Sequence, residues 1–195
     1  METFIMAKKA YFDGALFVAF DIETTGLDLY QDQIVEIGAL KFDKNGLIAR
    51  FSTLIDPGIP MPPEATMVNK INNEMLKGKP SLDEVFPDFI HFIQNTFLTA
   101  HNAPFDCGFI NAKLRKHREK TKESKWIPPY PALPNPIIDT LVLSREIYPG
   151  QRSYSLQNMA LTLRIPVLNA HRAEDDARLC MEIFLACLNR KVSGW

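Results

Sequence analysis

Phe17-Val18-Ala19-Phe20-Asp21-Ile22-Glu23-Thr24-Thr25-Gly26 begins as an apolar run and ends on two acids just before a glycine. At a period of two, Phe17, Ala19, Asp21 and Glu23 share one face of a strand, and Val18, Phe20 and Ile22 share the other. A second alternating stretch covers 33–42. Asp43-Lys44-Asn45-Gly46 then supplies an Asn-Gly turn, and 47–55 alternates again. That pattern predicts a hairpin, so three antiparallel strands open the fold.

Outward from this block the pattern changes to helices separated by short strands. Four prolines between 56 and 63 end the sheet run. A helical patch near 74–77 is followed by Ser81-Leu82-Asp83-Glu84, a capping-box start. Leu82, Val85, Phe86, Phe89, Ile90, Ile93 and Phe97 recur at helical spacing, with Pro87 expected to kink the helix. A short strand at 97–100 runs through His101-Asn102-Ala103-Pro104-Phe105-Asp106 into a helix that continues through Leu114. A strand at 137–139 precedes a helix through Tyr148, and helices at 155–163 and 173–190 close the chain. This order predicts an α/β fold: a mixed five-stranded sheet, three antiparallel strands first, with helices packed on it. One domain over residues 1–195 is expected, with its core at about 16–190. Residues 113–125 depart from average composition, with seven Lys/Arg and two Glu, and five prolines follow between 128 and 136. The segment 113–136 reads as a basic, proline-rich inserted loop whose cations either track a phosphate backbone or are simply solvated.

Composition narrows the class. With 46% hydrophobic and 23% charged positions over 195 residues, disorder, collagen and coiled coil are excluded. A chain of this size buries roughly 70% of the surface its unfolded form exposes, so a disulfide or structural metal is unnecessary. The longest apolar run, at 15–20, falls far short of the roughly 20 residues that cross a bilayer. The first residues lack the pattern of a secretory signal, and Cys107, Cys180 and Cys187 contain no CxxC pair. A cytoplasmic protein with buried thiols is expected. Twenty-two basic residues against 23 acidic ones leave a net charge of −1, so any polyanion must be bound locally.

The acids carry the chemistry. Asp21 and Glu23 leave the same face at the C-terminal end of a strand, where α/β sheets place ligands. A divalent cation with oxygen ligands would compensate their charge; two solvated acids at a strand end is the plain alternative. In the last helix, Asp176 falls in line with Cys180, Ile183 and Cys187 on the apolar stripe. Glu174 falls with Arg178 and Glu182 on the polar side, where pairing with Arg178 is expected. Asp175 lies between the two. Asp176 therefore faces the sheet, as a fourth carboxylate or as a helix cap. Asp106 sits in the first turn of its helix, where it would at least complement the N-terminus. His171, in the loop before the last helix, suits a general base or an ordinary surface position; His91, His101 and His117 are expected at the surface.

Three segments together, Phe20-Asp21-Ile22-Glu23-Thr24-Thr25-Gly26-Leu27, His101-Asn102-Ala103-Pro104-Phe105-Asp106 and His171-Arg172-Ala173-Glu174-Asp175-Asp176-Ala177, resemble the motifs of the DEDDh 3′ to 5′ exonucleases. Ile138-Asp139-Thr140 and Ser155-Leu156 are similar to that family's intervening segments. The resemblance implies a ribonuclease H-like fold. It also implies two divalent ions, Mg²⁺ or Mn²⁺, held by Asp21, Glu23, Asp106 and Asp176, with Asp21 bridging both, Glu23 and Asp176 completing one, and Asp106 serving the second. His171 is then the base and Asp175 is left out. Thr24, Thr25, Gly26, Leu27 and Asn102 become candidate substrate contacts, and Phe105 a contact or a core residue. The implied partners are nucleic-acid 3′ ends, with single-stranded DNA first and RNA as the alternative, and a DNA polymerase; no membrane is implied. The chain ends at Trp195 with little beyond the last helix, which leaves a stand-alone nuclease and a proofreading subunit both open. A noncatalytic end-binding module on the same fold is a third expectation, disfavoured because four gathered carboxylates repel one another without metal.

Overall fold

The computed structural model describes residues 2–119, 128–168 and 171–190. β1 (Phe17–Thr24) is the middle strand of a five-stranded sheet. It pairs antiparallel with β2 (Ile34–Asp43), which pairs antiparallel with β3 (Gly46–Leu54). The β2–β3 turn closes with Asp43 opposite Gly46 at φ 126°, and the Asn45 N–H donates to Asp43 Oδ1. On its other side β1 runs parallel to β4 (Phe97–Ala100), and β4 runs parallel to β5 (Ile137–Asp139). The mixed sheet is as expected from the sequence.

Helices cover both faces. On one face Val18, Phe20, Ile22, Ile37 and Ala39 pack against α4 (Leu82–Phe92) and α5 (Ala103–Glu119) through Phe86, Phe89, Phe109 and Ile110. On the other, Phe17, Ala19 and Phe42 pack against α6 (Thr140–Ile147), α7 (Leu156–Thr162) and α8 (Ala173–Asn189) through Leu143, Met159, Ile183 and Phe184. Cys107, Cys180 and Cys187 are buried and unbridged.

Several local expectations are corrected. Glu2–Phe12 forms a helix, α1, that buries Phe4 and Ala7 against the α8 face. The proline run ends the sheet as expected, and an unforeseen helix follows it: Pro63 occupies the first turn of α2 (Pro63–Asn69), where a missing N–H costs nothing. The patch near 74–77 is the short α3 (Asn73–Leu76). Helix α4 stops at Phe92, although the apolar spacing ran on to Phe97; Asn95 at φ 57° turns the chain into β4. Residues 113–119 are the last turns of α5, not loop, and 120–127 lie outside the described residues. Lys113 is 3% exposed and donates to the Asp32 carbonyl.

One close approach sets the angle between sheet and helix. Gly38 faces Asp21 across the β1–β2 ladder, and a Cβ placed there would lie 2.2 Å from the backbone of Ala173 and Glu174. The start of α8 therefore rests directly on bare β2 backbone. Gly38→Ala is expected to force the two apart and cost about 1–3 kcal/mol, read as a lower midpoint in urea unfolding; an unchanged midpoint would show that the helix is free to shift.

Candidate active site

The face of β1 that carries Phe17 and Ala19 also carries Asp21 and Glu23, now at the sheet's C-terminal edge. Pairing between β1 and β4 ends at Ala19 and Thr99, so the backbone beyond it on that side is free. The Ile22 N–H fills the gap by donating to Asp106 Oδ1 at 3.1 Å. That bond draws the first turn of α5 against the strand, between the two β1 acids. Asp106 is 3% exposed.

α8 brings the fourth acid. Glu23, His171 and Asp176 each offer a ligand atom within 4.8 Å of the others. His171 stands in the left-handed region at φ 62°, and its N–H donates to Asp176 Oδ2 at 3.2 Å. The other oxygen, Asp176 Oδ1, is buried and has no hydrogen-bond partner among the described residues. A buried carboxylate oxygen with nothing to accept from is costly, and a cation would satisfy it. The donor set, carboxylates with one imidazole, fits a hard divalent ion.

Electrostatics agree with the geometry. Burial raises Asp21 well above the ordinary carboxylate range, and the fields of Asp106, Glu23 and Asp176 push it further. Burial, then Asp176 and Glu36, lift Glu23 to about 8. Burial lifts Asp106 to about 7 against the bond from Ile22, and Asp176 to about 6.

Glu36 was not anticipated. It is 2% exposed and lies directly across the ladder from Glu23. Its carboxylate takes two bonds from Arg172 Nε, at 3.2 and 3.1 Å, and one from Nη2 at 2.7 Å. It also accepts from the Ala173 N–H at 3.1 Å, so one β2 side chain caps α8 and anchors the residue next to His171. The signal was present in the sequence: an acid between Val35 and Ile37 in an apolar strand needs a buried partner.

Among the expected contacts, Thr24 and Thr25 turn inward. The Thr24 hydroxyl donates to the Gly26 carbonyl at 2.6 Å and that of Thr25 to Asp32 Oδ1 at 2.8 Å, holding the loop 25–33 closed. Gly26 is required because the Asp32 carboxylate fills the space of a Cβ. Leu27 projects into solvent, 82% exposed. Asn69, unforeseen, donates to the Thr24 carbonyl and ties α2 to this loop. Asn102 is exposed at φ 69° with its N–H on Asp139 Oδ1. Phe105 is half-buried and packs on Phe109, with ring centroids 5.0 Å apart.

Three side-chain expectations are overturned. Glu174 pairs with Arg50 at 3.0 Å, while Arg178 takes Asp175 and Glu182. His101 is no surface residue; its ring nitrogens bond Thr140 Oγ1 and the Tyr154 carbonyl at 2.9 and 2.7 Å. His117 is buried 3.0 Å from Asp83. Long-range packing decides all three.

The chain belongs to the exonuclease family, RNase T type, whose profile matches residues 18–184. Its enzyme class, as expected from the three motifs, is 3′ to 5′ exonuclease. It is 45% identical over 170 residues to the DNA polymerase III subunit epsilon of Treponema pallidum (strain Nichols), covering 86% of this chain and 74% of that one. It is 40% identical over 167 residues to the PolC-type DNA polymerase III of Clostridium perfringens (strain 13 / Type A), of which it spans 11%. In structure it is similar to exonuclease X in complex with 5′ overhanging duplex DNA, with a TM-score of 0.69 at 27% identity over 92% of this chain and 93% of that one.

The raised acids fix the sign of a pH effect. They hold protons more tightly folded than unfolded, so their stabilising contribution is complete below about pH 4 and is lost as pH rises through about 6, 7 and 8. Chelator-treated protein is expected to melt at progressively lower temperature from about pH 5 to about pH 8.5, with Asp176→Asn flattening the trend. A melting temperature that rises over this interval contradicts the clustering.

Proposed function

We propose that this chain is a single catalytic unit, with its core at about 16–190, that removes nucleotides one at a time from the 3′ end of single-stranded DNA. Each turnover hydrolyses the terminal phosphodiester and releases a 5′-mononucleotide. The observation that carries the reading is the buried Asp176 Oδ1, which has no partner among the described residues, within one cluster with Glu23 and His171. A binding module has no use for that cost.

Asp21, Glu23, Asp106 and Asp176 would hold two divalent cations, Mg²⁺ or Mn²⁺. Such ions activate water and stabilise charge on phosphoryl oxygens. The protein's own groups do the rest. The His171 imidazole, beside Glu23 and Asp176, accepts a proton from the attacking water as the new P–O bond forms and the bond to the 3′ oxygen breaks. Glu36 holds His171 and Asp176 against the strand through Arg172 and Ala173. Exposed Leu27 and the backbone of Thr24, Thr25 and Gly26 border the terminal nucleotide, with Asn102 and Phe105 on the α5 side. The high identity to epsilon subunits, and to a short part of PolC-type enzymes, supports a place beside a DNA polymerase, in the cytoplasm. No helix among the described residues is long and apolar enough to cross a membrane.

The test uses 5′-labelled single-stranded DNA and RNA of one sequence with Mg²⁺, resolved on a gel. DNA is expected to shorten stepwise from its 3′ end; Asp21→Ala and chelator should each lower the rate by about a thousandfold, several kcal/mol of charge stabilisation. RNA cut faster than DNA would replace the substrate, and activity retained in Asp21→Ala would remove the metal site. His171→Ala should lower kcat by about a hundredfold or more without unfolding; an unchanged kcat would end its role as base.

A further inference from the structure

The described part of the basic segment, residues 113–119, finds a place beside the site. Leu29, Tyr30, Arg115 and Lys116 line a groove of about 290 Å³, with Glu119 the one acid of its lining. Tyr30 is 72% exposed. Arg115 and Lys116 are also exposed, and neither has a hydrogen bond or ion pair among the described residues, whereas Arg50, Arg172 and Arg178 are all paired with carboxylates. Two cations without a partner among the described residues, beside an open aromatic ring, are the elements that single-stranded nucleic acid uses, for its phosphates and for base stacking.

Both walls of the groove start at the catalytic acids. The loop that carries Tyr30 leaves β1 directly after Glu23 and Thr24, and Leu29 packs where a Cβ of Gly108 would stand, at 3.2 Å, in the turn that carries Asp106. The other wall is α5 itself, and its rise of 1.5 Å per residue puts Lys116 about 15 Å from Asp106 along the axis. Lys113, buried between the walls, bonds the Asp32 carbonyl and fixes the loop to the helix. The groove is therefore a fixed feature.

Resting on the exonuclease reading above, we propose that this groove binds the DNA strand upstream of the scissile bond, with Arg115 and Lys116 on phosphates and Tyr30 stacked on a base. For a strand kept base-stacked as in a duplex, at about 3.4 Å per nucleotide, 15 Å is reached four or five nucleotides from the cut. Strands shorter than that cannot use it.

The test compares the wild-type protein with Arg115→Glu/Lys116→Glu and Tyr30→Ala on three probes: a fluorescein-labelled 20-mer of deoxythymidylate, a trimer, and the p-nitrophenyl ester of thymidine 5′-monophosphate. Anisotropy of the 20-mer in calcium reads binding without turnover. Each variant is expected to bind the 20-mer about tenfold more weakly, with trimer and ester cleavage unchanged; Tyr30→Trp should keep the wild-type affinity. The double variant should also flatten the salt dependence of binding by about 1.4, two phosphates at about 0.7 each. Equal 20-mer affinity in wild type and variants overturns the groove. Equal loss on 20-mer and trimer also overturns it, because the effect then lies at the catalytic centre. Absence of ester cleavage by the wild type would instead count against the exonuclease reading, and the anisotropy comparison would still decide the groove.

Discussion

The structure turns on how the start of α8 meets the sheet. Glu36 and Gly38 lie two residues apart on the same face of β2, and each does half of the work. Gly38 lets the helix backbone come within contact of the strand, and Glu36 grips Arg172 and the first helical N–H. Glu36 sits across from Glu23, an arrangement that like charges on facing strands would oppose. The Arg172 guanidinium resolves the conflict, because a buried carboxylate is tolerated only when it is paired and fully hydrogen-bonded. Once the helix start is pinned there, His171 and Asp176 have no choice but to face Glu23.

A second constraint works from the opposite face. β4 pairs with β1 over only the first part of the strand, and the open backbone at Ile22 recruits Asp106 from α5. One hydrogen bond thus couples α5 to the segment of β1 that carries Asp21 and Glu23. The loop 25–33 is built around Asp32, which accepts from Thr25 and from the Asp28 N–H, and which fills the space a side chain at position 26 would need. Threonine hydroxyls that look available in the sequence are spent on holding this loop.

The site stores unfavourable electrostatics by design of its position. Four carboxylates share a partly buried edge, and every one of them holds its proton more tightly than an exposed acid would. The surrounding core, with Phe17, Phe20, Phe42, Phe86, Phe89, Phe109 and Phe184 almost wholly buried, is what keeps such a cluster together, since burial of those rings outweighs the local repulsion. A site that is costly when empty is one that gains most from counter-charge.

The sequence by itself determined the five strands and the helices that follow the fourth and fifth of them, the shared face of Asp21 and Glu23, and the inward stripe that selects Asp176, because periods of 2 and 3.6 are local properties of the backbone. Its errors are also local ones: two helices, at Glu2–Phe12 and Pro63–Asn69, left unread, and a basic stretch read as loop where α5 continues. The partners of Glu36, Glu174, His101 and His117 lie far away in the chain and could not be read there. Tertiary structure alone decided those pairings, the orphaned oxygen of Asp176 and the meeting of Tyr30 with Arg115 and Lys116. Hydrogen bonds and burial between segments far apart in the chain, from 39 residues for His101 and Thr140 to 136 for Glu36 and Arg172, depend on how helices dock on one sheet, and no local spacing encodes that distance.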